Sequence, residues 1–141
     1  MINEFRGKYF FLSNFFSSPM LLDDGSVAPT VEHLFQSLKA TSEEERLKIL
    51  SAESASEAKY LGRHCKLRED WENIKDDVMY FCLRKKFIGN PDLTQKLLDT
   101  GDEELVEGNN WGDKYWGKVK GIGKNKLGQL LMKVREELKN V

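Results

Sequence analysis

Thr30-Val31-Glu32-His33-Leu34-Phe35-Gln36-Ser37-Leu38-Lys39 is the stretch from which the fold is read. Thr30 is a helix-capping residue type, and Val31, Leu34, Phe35 and Leu38 follow at the i, i+3, i+4, i+7 spacing of an amphipathic helix. Glu32, Gln36 and Lys39 are four and three residues apart. At about 100° per residue they fall within roughly 60° of arc, beside the apolar face. A carboxylate, an amide and an amine lined up at the rim of a core can line a cleft. The other reading of the same spacing is a solvated stripe making ordinary helix-surface pairs.

Downstream, helical signals continue. Ser42 with Glu45 and Ser54 with Glu57 read as capping boxes, and the helix after Ser54 is expected to stop at Gly62. A longer helix from about Asp70 to Gly89 is expected to turn Trp71, Ile74, Val78, Phe81 and Cys82 inward. Asn90-Pro91 opens another helix, with Leu93, Leu97 and Leu98 inward and Gly101 as its stop. Leu105-Val106-Glu107 suits a short strand. Asn125 is expected to cap a last helix with Leu127, Leu130, Leu131, Val134 and Leu138 inward.

Upstream, the first 28 residues read as extended. Tyr9-Phe10-Phe11-Leu12 is a β-prone run, and Asp23-Asp24-Gly25-Ser26 is a hairpin turn between Met20-Leu21-Leu22 and Val27-Ala28. The expected fold is α+β, mainly α-helical, with a small sheet near the N-terminus. The 141 residues fit one domain, 1–141.

Charge and cysteine usage narrow the function classes. Twenty-two basic and 23 acidic side chains give a formal net charge of -1, which gives no support to bulk electrostatic binding of nucleic acid. Two cysteines, Cys65 and Cys82, do not make a disulfide framework and read as reduced thiols. Met1 to Tyr9 carries Glu4, Arg6 and Lys8 and no apolar signal core. No apolar run reaches the roughly 20 residues needed to span a bilayer. A cytoplasmic protein without membrane contact is expected. His33 and His64 show no zinc-site spacing, so neither a metal nor a cofactor is expected. No nucleophile elbow or serine-triad signature is present.

Residues Gly108 to Lys124 carry no period and contain five glycines. Within them, Trp111, Tyr115 and Trp116 surround Asp113. Large aromatics outside a periodic pattern stack on a ligand ring or on the domain's own core. Asp113 can move a proton or make a turn hydrogen bond. Lys114, Lys118, Lys120, Lys124 and Lys126 against Asp113 give residues 113 to 126 a local charge of +4. Gly121-Ile122-Gly123-Lys124-Asn125, running into the last helix, has the composition of a phosphate site, although it matches neither a dinucleotide fingerprint nor a P-loop. Arg63 and Arg68, before the long helix, are surface charges or a phosphate fork.

These motifs, taken in order, resemble the NADAR, or YbiA-like, domain. The matching pieces are Leu12-Ser13-Asn14-Phe15; Thr30 to Gln36 with Lys39; Ala58 with Leu61-Gly62-Arg63; Leu67 to Trp71; Lys86-Phe87; Thr100-Gly101; Leu105-Val106-Glu107; Asp113 with Tyr115-Trp116-Gly117; and Gly123 to Gly128 with Leu131-Met132 and Arg135. They cover nearly the whole chain and are specific as a set. Ala28 stands where many members carry an aromatic residue before the Pro-Thr-x-Glu-His segment.

The resemblance implies a YbiA-like fold and hydrolysis of N-glycosidic bonds. It implies two classes of substrate: phosphorylated ribosylaminopyrimidine intermediates of riboflavin biosynthesis, and ADP-ribose attached to guanine, free or in nucleic acid. Breaking a ribose–nitrogen bond builds positive charge on the sugar and negative charge on the leaving base. On that basis Glu32 is assigned to the ribose hydroxyls and charge stabilisation, Asp113 to proton transfer, and Lys39 to nucleophilic trapping of a ring-opened ribose. Asn14 and Gln36 are expected to orient the substrate, Trp71 and Trp116 to wall the base, and Arg63, Lys124 and Asn125 to approach phosphate. A non-catalytic module binding ADP-ribose or a related nucleotide is the alternative. A helical interaction protein with core tryptophans is a third reading.

Overall fold

The structure of the chain, a computed structural model, describes residues 1–141. It is mainly α-helical, with one small β-hairpin near the N-terminus. Two compact units are present. One comprises Asn14–Cys82; the other comprises Met1–Ser13 and Leu83–Val141. The helices are α1 (Val31–Ser37), α2 (Glu43–Leu50), α3 (Ala55–His64), α4 (Trp71–Ile88), α5 (Pro91–Leu98) and α6 (Lys126–Lys139). No helix is long and apolar enough to cross a membrane.

In the Asn14–Cys82 unit, strands β1 (Met20–Leu21) and β2 (Val27–Ala28) pair antiparallel, Met20 opposite Ala28. Their turn closes as the sequence predicts: Asp24 Oδ1 accepts from the Ser26 amide at 2.9 Å, and the Leu22 amide donates to Ser26 O at 2.9 Å. α1 packs against α2, α3 and β2, and every one of its residues is buried. Thr30 caps it, its side chain accepting from the His33 amide at 3.1 Å. Ser42 and Ser54 cap α2 and α3 in the same way through the Glu45 and Glu57 amides. His33 is spent on structure. Its Nε2 lies 3.0 Å from Ala52 O, which can only accept, and its Nδ1 lies 2.8 Å from Thr30 Oγ1. Ile49, Ala52 and Ala58 form a core between α2 and α3.

The other unit begins where the sequence suggests a strand. Tyr9-Phe10-Phe11-Leu12 instead closes a 3-10 helix, Gly7–Leu12. Phe11 and Leu12 are both buried, and neighbours in a half-buried strand point to opposite faces. Gly7, at φ +58°, turns the chain into the helix. Lys86, 1% exposed, closes it from α4: its ammonium donates to Phe11 O at 2.7 Å and Ser13 O at 3.0 Å. Burial pushes that ammonium down to about 7, while the two carbonyls favour its charged form.

α4 also differs in phase from the expected one. Phe81 is 52% exposed and Ile74 and Val78 are half-buried. Met79, Cys82, Leu83, Lys86 and Phe87 are buried, at i, i+3, i+4, i+7, i+8. Lys86 is polar by type, so an apolar pattern omits it and shifts the apparent stripe. Leu105-Val106-Glu107 makes only a parallel bridge to Ile2, through Ile2 N to Glu104 O and Val106 N to Ile2 O, both 2.8 Å. α6 presents Gly128 to this bridge. A Cβ there would lie 2.1 Å from Leu105 O, so glycine permits the approach.

Lys86→Met removes the ammonium that donates to the Phe11 and Ser13 carbonyls. It is expected to lower unfolding stability by about 2–4 kcal/mol, measured by urea denaturation.

Candidate active site

The Asn14–Cys82 unit holds Asn14, Glu32, Gln36, Lys39, Arg63 and Trp71; the other unit holds Asp113, Trp116, Lys124 and Asn125.

Glu32 is 8% exposed on α1, which removes the solvated-stripe reading. Its Oε2 accepts from Gln36 Nε2 at 2.6 Å, one helical turn on, and its amide donates to Asn14 O at 3.0 Å. Burial raises the Glu32 carboxyl above the ordinary carboxylate range. The Gln36 bond and then the charges of Lys59, Lys39 and His33 oppose the rise. Two further buried acceptors belong to these neighbours. Asn14 Oδ1 and Gln36 Oε1 accept no hydrogen bond. Asn14 Nδ2 meets only the soft sulfur of Met79, at 3.6 Å. Buried acceptors left unpaired are costly, and a donor-rich ligand relieves that cost.

Gln36 is wedged by α3. A Cβ on Gly62 would lie 1.9 Å from Gln36 Oε1 and 2.7 Å from its Cδ. Gly62 is therefore not the stop that its residue type suggests; α3 continues to His64. Glycine stands there so that Gln36 can reach across.

Lys39 lies beyond the end of α1, in a tight turn where its amide donates to Gln36 O at 3.2 Å. Its backbone carbonyl accepts from the Arg68 amide at 3.1 Å. The ammonium sits 5.6 Å from the Phe35 ring centroid and 5.7 Å from that of Trp71. Those rings tilt against each other at 59°, centroids 5.1 Å apart. Desolvation lowers the Lys39 amine below the ordinary lysine range; Glu32 opposes this, while Arg63 and Lys59 add to it. Trp71 is 5% exposed. Arg63 is exposed. Burial raises the Cys65 thiol, in keeping with an inert cysteine. Sequence patterning missed Phe35 as one wall of the lysine box, and missed Lys59. The signal for Phe35 was its i, i+4 relation to Lys39.

In the other unit, Asp113 is half-buried. Its Oδ1 accepts from the amides of Tyr115 at 3.0 Å and Trp116 at 2.9 Å. The turn hydrogen bond considered from sequence is therefore present. Asn109 clasps the main chain of Asp113 on both sides. Its Oδ1 accepts from the Asp113 amide at 3.1 Å, and its Nδ2 donates to Asp113 O at 2.9 Å and to Glu107 Oε2 at 2.9 Å. Trp116 is half-buried and packs edge-on against Tyr115, centroids 4.9 Å apart. Lys124 is exposed, its ammonium 5.3 Å from the Tyr115 ring centroid.

Asn125 departs from its expected roles. It precedes α6 in the left-handed region, at φ 53°, without a side-chain cap bond. Its amide instead accepts from Glu107 N and donates to Leu105 O, both 2.9 Å, and the residue is buried. The amides of Asn125, Lys126 and Leu127 donate to Gly117 O, Tyr115 O and Trp116 O. The donors that a phosphate would use at this helix start are already taken.

No group of three His, Cys, Asp or Glu side chains is placed to hold a metal ion.

A family model described as the NADAR domain matches residues 3–139. The chain is 42% identical over 129 residues to the N-glycosidase YbiA of Escherichia coli (strain K12), covering 89% of this chain and 79% of that protein. It is 40% identical over 131 residues to a riboflavin biosynthesis protein of Vibrio vulnificus (strain YJ016). That alignment covers 91% of this chain but only 35% of the longer relative. The NMR structure of the E. coli protein YbiA matches at a TM-score of 0.85 with 38% sequence identity, over 99% of this chain and 88% of that one.

Gly62→Ala is expected to displace Gln36 from Glu32 and to cost about 1–3 kcal/mol in urea denaturation. A second outcome concerns Glu32. Its folded-state pKa lies above the ordinary 4.5, so the folded chain holds a proton that the unfolded chain releases. Stability therefore falls as pH rises through that window. Glu32→Gln is expected to melt higher than the wild type at about pH 7, and the gain should shrink below pH 4.5. Circular dichroism melts at both pH values measure it.

Proposed function

The chain belongs to the NADAR family, and from that premise we propose that it is an N-glycosidase. It hydrolyses the bond between C1′ of a ribose and a nitrogen of its base in a nucleotide-like substrate. The observation that carries this reading is Glu32: a buried carboxylate in electrostatic reach of a desolvated lysine, beside two buried acceptors that bond nothing. Ribose hydroxyls are donors that suit those acceptors, and a carboxylate in a low-dielectric site strongly favours a cationic sugar.

In this mechanism the C1′–nitrogen bond breaks with its electron pair going to the base. Asp113 supplies the proton that the departing nitrogen takes up. The positive charge left on the sugar is stabilised by Glu32. The neutral amine of Lys39 then adds to C1′, one of its protons passes to the ring oxygen as the ring opens, and a protonated imine forms. Water hydrolyses it, releasing the sugar as its aldehyde, restoring the amine and returning the proton to Asp113. A lowered lysine pKa favours this route, since an ammonium has no lone pair to offer. Asn14 and Gln36 orient the sugar. Trp71 and Trp116 border the base, and the exposed Arg63 and Lys124 meet phosphate.

For the substrate we take the phosphorylated ribosylaminopyrimidine class over ADP-ribosylated guanine. The near-neutral charge suits a free metabolite, and the longer Vibrio relative is named for riboflavin biosynthesis.

The experiment incubates the protein with each substrate class and measures release of free base. Release from the ribosylaminopyrimidine is expected. Release from ADP-ribosylated guanosine alone would transfer the assignment to that class, and tight binding without product would establish a binding module. Glu32→Gln, Lys39→Ala and Asp113→Asn are each expected to lower kcat by about 10²-fold or more. Unchanged rates in all three would remove the assignment. Borohydride is expected to trap ribose on the wild type and not on Lys39→Ala.

A further inference from the structure

We propose that Asn109 is a positioning residue for the reaction, holding Asp113 where its carboxyl can exchange a proton with the leaving base. This rests on the reading of Asp113 as the acid–base group. Residues Gly108 to Lys124 contain no helix and only two isolated β-bridges, Gly108 with Lys118 and Val119 with Ile122, neither of which includes Asp113. An aspartate turn alone ties residue 113 to residues 115 and 116, which lie in the same irregular stretch. It holds the side chain from one side, through Tyr115 and Trp116, whose carbonyls accept amides of α6, and leaves the main chain of Asp113 itself unplaced.

Asn109 supplies the place. Its amide oxygen accepts from Asp113 N at 3.1 Å and its amide nitrogen donates to Asp113 O at 2.9 Å, so one side chain grips both main-chain groups of one residue. A planar amide gripping two points allows little rotation of what it holds. The same nitrogen donates to Glu107 Oε2 at 2.9 Å. The main chain of Asn109 is fixed as well, its amide donating to Lys118 O at 2.9 Å. Glu107 is anchored in turn: its amide donates to Asn125 Oδ1, and its carbonyl accepts from Lys118 N, both at 2.9 Å. Asn125 is buried at the start of α6. A continuous run of hydrogen bonds therefore leads from the start of α6, through Glu107 and Asn109, to Asp113, and on to the amide of Trp116.

The surroundings leave the clamp little slack. A Cβ on Gly117 would lie 1.8 Å from Glu107 Oε2 and 2.7 Å from Asn109 Nδ2, so the chain after Trp116 lies directly on the clamp. Asn109→Asp keeps the acceptor for Asp113 N. It places an oxygen where the donor stood, against Asp113 O and the Glu107 carboxylate. Asp113 then shifts, and a misplacement of about 1 Å in a reacting group costs on the order of 10²-fold in rate.

The test uses the full chain and whichever substrate it cleaves. Asn109→Asp is expected to lower kcat by about 10- to 100-fold, with KM within about threefold. Asn109→Ala, which adds no charge, is expected to do the same and serves if the aspartate variant does not fold. The double variant Asn109→Asp with Glu107→Gln restores a donor–acceptor pair between positions 107 and 109 but returns no donor to Asp113 O. Its kcat is expected to stay low. Wild-type kcat in both single variants, a rise in KM with kcat unchanged, or full recovery in the double variant would each overturn the inference. Asp113→Asn run in parallel separates the two readings. Wild-type turnover there removes the acid–base assignment and this inference together. An inactive Asp113→Asn beside a fully active Asn109→Asp removes this inference alone.

Discussion

Burial of the Glu32 carboxylate on a helix with no solvent face is the constraint around which its unit is arranged. A carboxylate taken out of water is expensive unless it is bonded or protonated. Gln36, one turn away, supplies a short hydrogen bond, and Lys59 and Lys39 supply favourable charge. Gln36 can lie where it does because α3 carries no side chain at Gly62. The small residues of α3, Ala55, Ala58 and Gly62, are its buried ones, so the helix approaches α1 closely. Residues that look unremarkable one at a time thus place one ionisable group out of water at a cost to stability.

Two lysines show how differently the fold can enclose one residue type. Lys86 is enclosed, and its ammonium closes the carbonyl end of a 3-10 helix. Lys39 is partly buried between two aromatic faces and carries the opposing influences of Glu32 and of nearby cations. Desolvation lowers both. Lys86 spends its hydrogens on backbone acceptors that bar it from a ligand, whereas Lys39 meets ring faces, which favour its ammonium without tying it to a hydrogen-bond acceptor.

The tryptophan stretch obtains order without regular secondary structure. Side chains replace the ladder: Asp113 bonds two amides ahead of it, Asn109 bonds two groups of Asp113, and Asn125 bonds the backbone of Leu105 and Glu107. Carbonyls of residues 115–117 accept the first amides of α6. The helix start is satisfied internally, and the lysines near it stand as side chains without a backbone anion cradle.

Local signals determined much of this protein. The caps at Thr30, Ser42 and Ser54, the hairpin turn at Asp23–Ser26, the proline start of α5 and the glycine after it are set by backbone hydrogen bonding and φ/ψ preference, which act over a few residues and leave a mark in residue type. Motif order likewise carried the family. Tertiary structure decided what those signals do not encode. Gly62 reads as a helix stop, but it is a gap filled by a residue 26 positions earlier in the chain, Gln36. Lys86 reads as a surface residue, but carbonyls 73 and 75 positions away make its burial possible, and with it the phase of α4. Asn125 reads as a cap, but its amide serves backbone about 20 residues upstream. The same holds for Glu32 and Gln36: spacing along a helix sets which side chains share a face, while only the packing of other elements against that face decides whether it meets water.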